Sequence, residues 1–391
     1  MAPKQPPRIP APPPSATNFL LRTSLYLPIG LATVYLTFFL ALLTPLFQRN
    51  FIFLHSIQFP FFPSYHKPEK YGLAPFKTRP LSLTTSDGET IGAWHVLPEL
   101  YYQQRLSSSP DFEWDDDVYQ RSMQLHPTII YLHGNSMNRA APFRIAAYQS
   151  LTSRIDANVV AIDYRGFGDS TGTPSEQGLV EDAETAYRWI RQQQGSSKQK
   201  ITVFGQSLGT GIGALLAAKL EQQSTPLDSL VLMAPYTSLK ALVKDFRLGG
   251  ILPLLKPISL IPFNENILDA FLKTHLNTLY TLPKLTSSSS TSNRQTSIVL
   301  LHAHDDPVIP ISHSRTLFKT MLDATSNNVS IQSRNVTDYA HVQRFKPNAK
   351  KPAQTVTLVE TKFGGHNQLT EGGLDLVRLA LKLPSHLAGS G

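Results

Sequence analysis

The chain has 391 residues, of which 41% are hydrophobic and 16% charged, enough apolar material for one α/β domain with insertions or for two domains. Its formal charge of +8 is spread along the sequence with no Lys/Arg block, which argues against a nucleic-acid partner. It contains no cysteine, so disulfides and thiolate metal sites are excluded.

Residues 1–24 open with seven prolines in the first fourteen positions and are predicted to be a disordered, Pro-rich N-terminus. Residues 25–47, Leu25–Phe47, then run for 23 residues without a charge. At about 1.5 Å per residue, a helix of that length crosses a hydrocarbon core of about 30 Å. The run exceeds the apolar core of a cleaved signal peptide, and no A-x-A-like site follows it. It is read as a single transmembrane signal-anchor helix. Lys4, Arg8 and Arg22 precede it, whereas Arg49 is the one Lys or Arg within fifteen residues after it. That asymmetry predicts a cytosolic N-terminus, with the C-terminal part luminal or extracellular. Two N-glycosylation acceptors, Asn328-Val-Ser330 and Asn335-Val-Thr337, agree with that side.

Residues 48–75 are read as a juxtamembrane linker. Within it, Phe51–Tyr65 is aromatic and interrupted by prolines, suited either to the membrane interface or to packing on the domain. Residues 76–385 are read as one α/β domain. Alternating residues on both sides of Ser86-Asp-Gly88 predict a hairpin over Pro80–Val96, followed by an acidic, solvated insertion at 98–127. Strands at Thr128–Leu132, Val159–Asp163, Ile201–Phe204, Ser229–Ala234, Ser297–His302 and Thr355–Glu360 are continuously apolar. Helices are predicted over Arg139–Arg154, Glu176–Gln193, Leu208–Leu220 and Leu369–Leu383. That rhythm means a mostly parallel sheet covered on both faces, with its site at the carboxyl ends of the strands. Residues 237–285, apolar and rich in proline, lie between two core strands where a cap over the site would be inserted. Residues 324–353 are polar without a period and are read as a variable surface loop.

The chemistry centres on Gly205-Gln-Ser-Leu-Gly209, a G-x-S-x-G placed where a strand turns into a helix. A serine hydroxyl is a poor nucleophile at neutral pH and needs a base, which in turn needs an orienting carboxylate. Ser207 is the candidate nucleophile and His366, after the last strand in Phe363-Gly-Gly-His366, the candidate base. The acid is Asp306 or Asp305, and Asp306 is preferred because it directly precedes Pro307-Val-Ile-Pro310. The order Ser, Asp, His, each after its own strand, is that of the α/β-hydrolase fold. The oxyanion hole is expected from the backbone N–H groups of Leu208 and Asn135, with Ser136 the alternative to Asn135. The glycine-rich turn Asp163-Tyr-Arg-Gly-Phe-Gly-Asp-Ser170 lacks the spacing of a phosphate cradle and is given a structural role at the rim. His302 and His304 would share a strand face, but no third ligand is evident, so no metal and no cofactor are expected.

HGNSMNR, DYRGFGDSTGTPSEQGL, GQSLGTG, LHAHDDPVIP and GGHN stand in this order behind one apolar span. Together they resemble the α/β-hydrolase domain-containing lipases of the monoacylglycerol and lysophosphatidylserine type and their Bem46-like relatives. The resemblance covers about residues 76–383. It implies the triad Ser207, Asp306, His366, hydrolysis of the single acyl ester of a lysophospholipid or monoacylglycerol, and an endoplasmic-reticulum membrane protein with a luminal catalytic domain. The chain departs from that pattern at Gln206, where the family commonly has histidine. A protein acyl-thioesterase or peptidase would use the same triad, and a non-catalytic membrane scaffold would keep the fold without using it.

Overall fold

The computed structural model describes residues 16–108, 114–245, 255–260, 263–287, 296–325, 329–347 and 354–384. Most of the Pro-rich N-terminus, residues 246–254 and 261–262 of the predicted cap, and Asn328 with parts of the 324–353 stretch lie outside them. The described chain begins with α1 (Ala16–Leu42) and α2 (Pro45–Phe53), so the uncharged run predicted as one helix is broken. The reason is local. Pro45 has no N–H to donate and disfavours the helical region for its predecessor, and Thr44 is accordingly extended at φ −86°, ψ 137°. Among the described residues no single helix is long and apolar enough to cross a membrane; Tyr26–Leu42 and Pro45–Phe53 meet that condition only as a pair, bent by 97°.

The hairpin forms as β1 (Thr78–Thr84) and β2 (Thr90–Val96), closed at Gly88 with φ 89°. The 98–127 insertion differs from the solvated loop expected of it, because it folds into α3 (Glu99–Ser108) and α4 (Asp116–Leu125). Its acidic run is a helix start: the Asp115 carboxylate accepts from Val118 N–H at 3.2 Å, and Tyr102, Val118, Tyr119 and Met123 are buried beneath.

The strand–helix alternation then follows: β3 (Thr128–Leu132), α5 (Pro142–Arg154), β4 (Asn158–Ile162), α6 (Glu176–Gln194), β5 (Ile201–Gln206), α7 (Leu208–Gln222) and β6 (Ser229–Met233). Ser175 caps α6, accepting from Gly178 N–H. The cap interval holds α8 (Leu239–Asp245), α9 (Asn264–Phe271) and α10 (Thr278–Ser287). Of these, α10 packs against α7 and against α11 (Ser312–Asp323) beyond β7 (Ser297–Ala303), so it belongs to the body of the fold rather than to a lid. The stretch read as a loop at 324–353 contains a hairpin, β8 (Gln332–Val336) and β9 (Ala340–Phe345), ahead of β10 (Val356–Thr361) and α12 (Glu371–Leu381).

One sheet runs in the order β1-β2-β4-β3-β5-β6-β7-β10-β9-β8. It is parallel from β4 through β10, with antiparallel hairpins at both edges. Side chains alternate between its faces. Tyr131, Phe204, Val231, Val299 and Val359 pack beneath α5 and α12. Ile130, Val203, Leu230, Leu300 and Leu358 pack beneath α6, α7, α10 and α11. Burial on both faces is why these strands read as unbroken apolar runs.

Candidate active site

Strand β5 gives way to α7 at one residue, Ser207, whose backbone sits at φ 50°, ψ −116°. A non-glycine residue there is strained and persists only where its surroundings over-determine it. They do so here. A Cβ on Gly205 would lie 2.3 Å from the Gly209 carbonyl oxygen, and one on Gly209 would lie 2.0 Å from that of Leu132. Ser207 N–H donates to Met233 O on β6 at 3.0 Å, and Thr210 N–H donates to Ser207 O at 2.9 Å. The hydroxyl therefore stands at the carboxyl edge of the sheet, at the N-terminus of α7, where unpaired N–H groups favour negative charge.

The sheet order sets β5, β6, β7 and β10 side by side, so the turns after them converge. His366, after β10, has Nε2 3.0 Å from Ser207 Oγ and Nδ1 2.9 Å from Asp306 Oδ2. Asp306, after β7, accepts on its other oxygen from Val308 N–H (2.8 Å) and Ile309 N–H (3.0 Å). Asp305 does different work: it accepts from Gly365 N–H at 2.7 Å and fixes the turn that carries His366. Burial alone would raise the Asp306 carboxyl. Hydrogen bonds from His302 and His366, the nearby His366 charge and the Ile309 N–H outweigh it and hold the group well below the usual carboxylate range.

The sequence reading gave His302 no role, and it expected His302 and His304 to face the same way. The strand ends at Ala303, which separates them: His304 is exposed and His302 buried. His302 Nε2 lies 3.0 Å from Ile309 O and 3.3 Å from Asp306 Oδ2, two acceptors, so this nitrogen carries a hydrogen. Its Nδ1 meets Ser314 Oγ at 2.6 Å. His302 is thus a fixed donor behind the Asp306 carboxylate. Among the described residues no group of three or more His, Asp or Glu could hold a metal ion.

The loop after β3 approaches Ser207 from the other side; a Cβ on Gly134 would lie 3.3 Å from the Ser207 Cβ. Ser136 and Met137 have positive φ, 57° and 59°, and both N–H groups are committed, to Phe53 O (2.9 Å) and Ile57 O (2.7 Å). Asn135 N–H donates to no backbone carbonyl among the described residues. The buried Arg144 guanidinium, on α5, donates to the carbonyls of Asn138 (2.8 Å), Ser136 (2.9 Å) and Gly134 (3.2 Å). With the carbonyls held on that side, the N–H groups face away from it. Asp163 and Asp169, from the glycine-rich turn after β4, bind Arg139 at 2.7 and 2.6 Å and brace the same loop. Neither arginine stood out in sequence, since a lone Arg at a helix start carries no signal of what it will reach.

Gln206 is buried between two partners. It accepts from Tyr131 OH at 2.8 Å and donates to Asn367 Oδ1 at 3.0 Å, linking the serine turn to the His366 turn.

This fold and this site define a serine ester hydrolase of the α/β-hydrolase fold. A family model described as alpha/beta hydrolase fold matches residues 127–250. Lysophosphatidylserine lipase ABHD12 of Bos taurus is 31% identical over 326 residues, 82% of this chain and 72% of that protein. Protein ABHD12B of Homo sapiens is 29% identical over 282 residues, covering 72% and 71%. A solved alpha-beta hydrolase from Vibrio vulnificus superposes with a TM-score of 0.56 at 16% identity, over 86% of this chain and 94% of that one, a likeness of fold alone. The chain belongs to the ABHD12 family.

Proposed function

We propose that this chain is a membrane-anchored serine lipase that cleaves the single acyl ester of a lysophospholipid or monoacylglycerol through an acyl-enzyme on Ser207. The observation that carries the reading is the hydrogen-bonded line Ser207 Oγ–His366–Asp306, with spacings of 3.0 and 2.9 Å. His366 Nε2 takes the Ser207 proton as Oγ attacks the ester carbonyl. The oxyanion is met by the N–H groups of Leu208 and Asn135. As the C–O bond breaks, His366 returns the proton to the leaving glycerol oxygen. Water then enters, gives its proton to His366 and releases the fatty acid, restoring Ser207. Asp306 keeps Nδ1 protonated, so that Nε2 is the basic nitrogen.

Anchoring is supported by the exposed apolar side chains along α1, among them Leu27, Ile29, Leu31, Val34 and Leu40, and by the exposed Phe61 and Phe62 beyond α2. The basic residues before the span and the exposed sequon residue Asn335 on β8 support a luminal catalytic domain in the endoplasmic reticulum.

The test is fluorophosphonate labelling of purified wild-type and Ser207→Ala protein, alongside fatty-acid release from lysophosphatidylserine and monoacylglycerol. The variant is expected to lose labelling and about 10⁴-fold or more in turnover, with its melting temperature little changed. Full turnover in the variant would overturn the nucleophile assignment. Labelling without lipid release would point to a thioester or peptide substrate, and an unlabelled, well-folded wild type to a scaffold.

A further inference from the structure

Where α1 bends into α2, an apolar cavity of about 170 Å³ opens between that corner and the cap. Phe39, Phe51 and Ile52 form one wall, Leu239, Leu242 and Leu268 the other. Two residues with polar side chains line it, Gln48 and Asn135. The Gln48 amide is engaged at both ends, donating to Phe271 O at 2.8 Å and accepting from Lys273 N–H at 3.2 Å. The other, Asn135, marks where the cavity meets the loop beside Ser207. The same corner braces that loop, because Phe53 O and Ile57 O accept the Ser136 and Met137 N–H groups.

We propose that the α1–α2 corner is one wall of the acyl-chain site, so that the anchor segment itself sets which chain lengths the enzyme cleaves. The inference rests on the ester-hydrolase reading above and adds the occupant and the residues that select it. Three observations favour an acyl chain bound for Ser207 over other apolar occupants. The lining is apolar except at Gln48, whose amide is engaged at both ends, and at Asn135, whose N–H is the expected oxyanion donor. The cavity is continuous with the loop that carries the expected oxyanion donor. Its outer wall is the helix whose exposed face is predominantly apolar. Hydrocarbon leaving a bilayer beside α1 would reach this cavity along a mostly apolar face, and would present the ester toward Ser207 with its head group outward.

The test uses full-length protein in detergent with a lysophospholipid series of increasing acyl length, a butyrate ester and a fluorophosphonate probe. In wild type, kcat/KM should rise about fourfold per added methylene until the cavity is full. Ile52→Trp and Leu242→Trp, one from each wall, should each cost more than about tenfold on an 18-carbon chain and move the optimum to shorter chains, with butyrate turnover and labelling within about twofold of wild type. Ile52→Ala, which enlarges the site without risking a clash, should move the optimum toward longer chains. Wild-type chain-length profiles in all three variants would overturn the proposal, as would a shift with Leu242→Trp alone, which would put the chain against the cap and not the anchor. A wild type that neither labels nor cleaves butyrate would instead refute the catalytic reading, a different and separable failure.

Discussion

Replacing Asp306 by asparagine separates the two adjacent carboxylates by their hydrogen bonds. The Oδ1 position of Asp306 accepts from two backbone N–H groups, at 2.8 and 3.0 Å, so the oxygen of a replacing amide is forced onto that side. Its NH₂ then faces His366 Nδ1 and the hydrogen-bearing Nε2 of His302, 3.3 Å from the present Oδ2. A donor facing Nδ1 turns His366 into the tautomer with hydrogen on Nε2, which cannot accept the Ser207 proton. The expected loss in kcat is about 10³–10⁴-fold, or about 4–5.5 kcal/mol in activation free energy. Asp305→Asn should cost less than about tenfold, because an amide oxygen can still accept from Gly365 N–H. The assay is single-turnover acylation by a short-chain ester, with the rate of fluorophosphonate labelling as a second readout. If Asp305→Asn were the slower variant, or Asp306→Asn stayed within tenfold of wild type, this reasoning would be refuted.

Two further perturbations probe the scaffold of the site. Arg144→Met removes the guanidinium donor to the carbonyls of Gly134, Asn135, Ser136 and Asn138 and should cost about 2–4 kcal/mol of stability by chemical denaturation and about 10–100-fold in kcat. Arg144→Lys should recover little, since a point ammonium cannot reach carbonyls spread around a planar fork; full recovery would show that charge rather than geometry matters. His95 is fully buried, donates from Nε2 to Asn158 Oδ1 at 2.8 Å, and is pushed down to about 3 by that burial and by nearby Arg79. It stays neutral in the fold while the unfolded chain takes up a proton below about pH 6.5. Stability must therefore fall as pH drops from about 6.5 toward 3, by about 1.4 kcal/mol per pH unit for this group. His95→Phe should remove that increment from the pH dependence of denaturation, and an unchanged slope would show that His95 is not the group responsible.

The parallel part of the sheet was legible because β3 to β7 and β10 are covered on both faces, and such strands leave continuous apolar runs whose bounds fall within a residue or two of those observed. The serine turn was legible for a related reason: Gly205 and Gly209 leave room only for backbone, a constraint that composition records. The missed elements are those where burial is thin. Gln332, Ser333, Arg334 and Asn335 on β8 are all exposed, so an edge hairpin held by its backbone ladder carries no period-two signal. The α3–α4 pair buries five side chains over twenty helical residues, too sparse a stripe to distinguish from a loop, and its start signal at Asp115 was hidden in an acidic run.

Asp305 and Asp306 show most sharply what sequence cannot hold. As side chains they are identical and adjacent, and chain order fits either. Asp306 faces His366 because Val308 and Ile309 fold back to hold one of its oxygens, while Asp305 is turned outward to Gly365. His302 then supplies a hydrogen to the same carboxylate from inside the sheet. The Asp306 carboxylate is thus surrounded by donors contributed by the strand before it and the turn after it. Only the orientation of those backbone groups decides which aspartate receives them, and orientation at that scale follows from tertiary packing rather than from residue order.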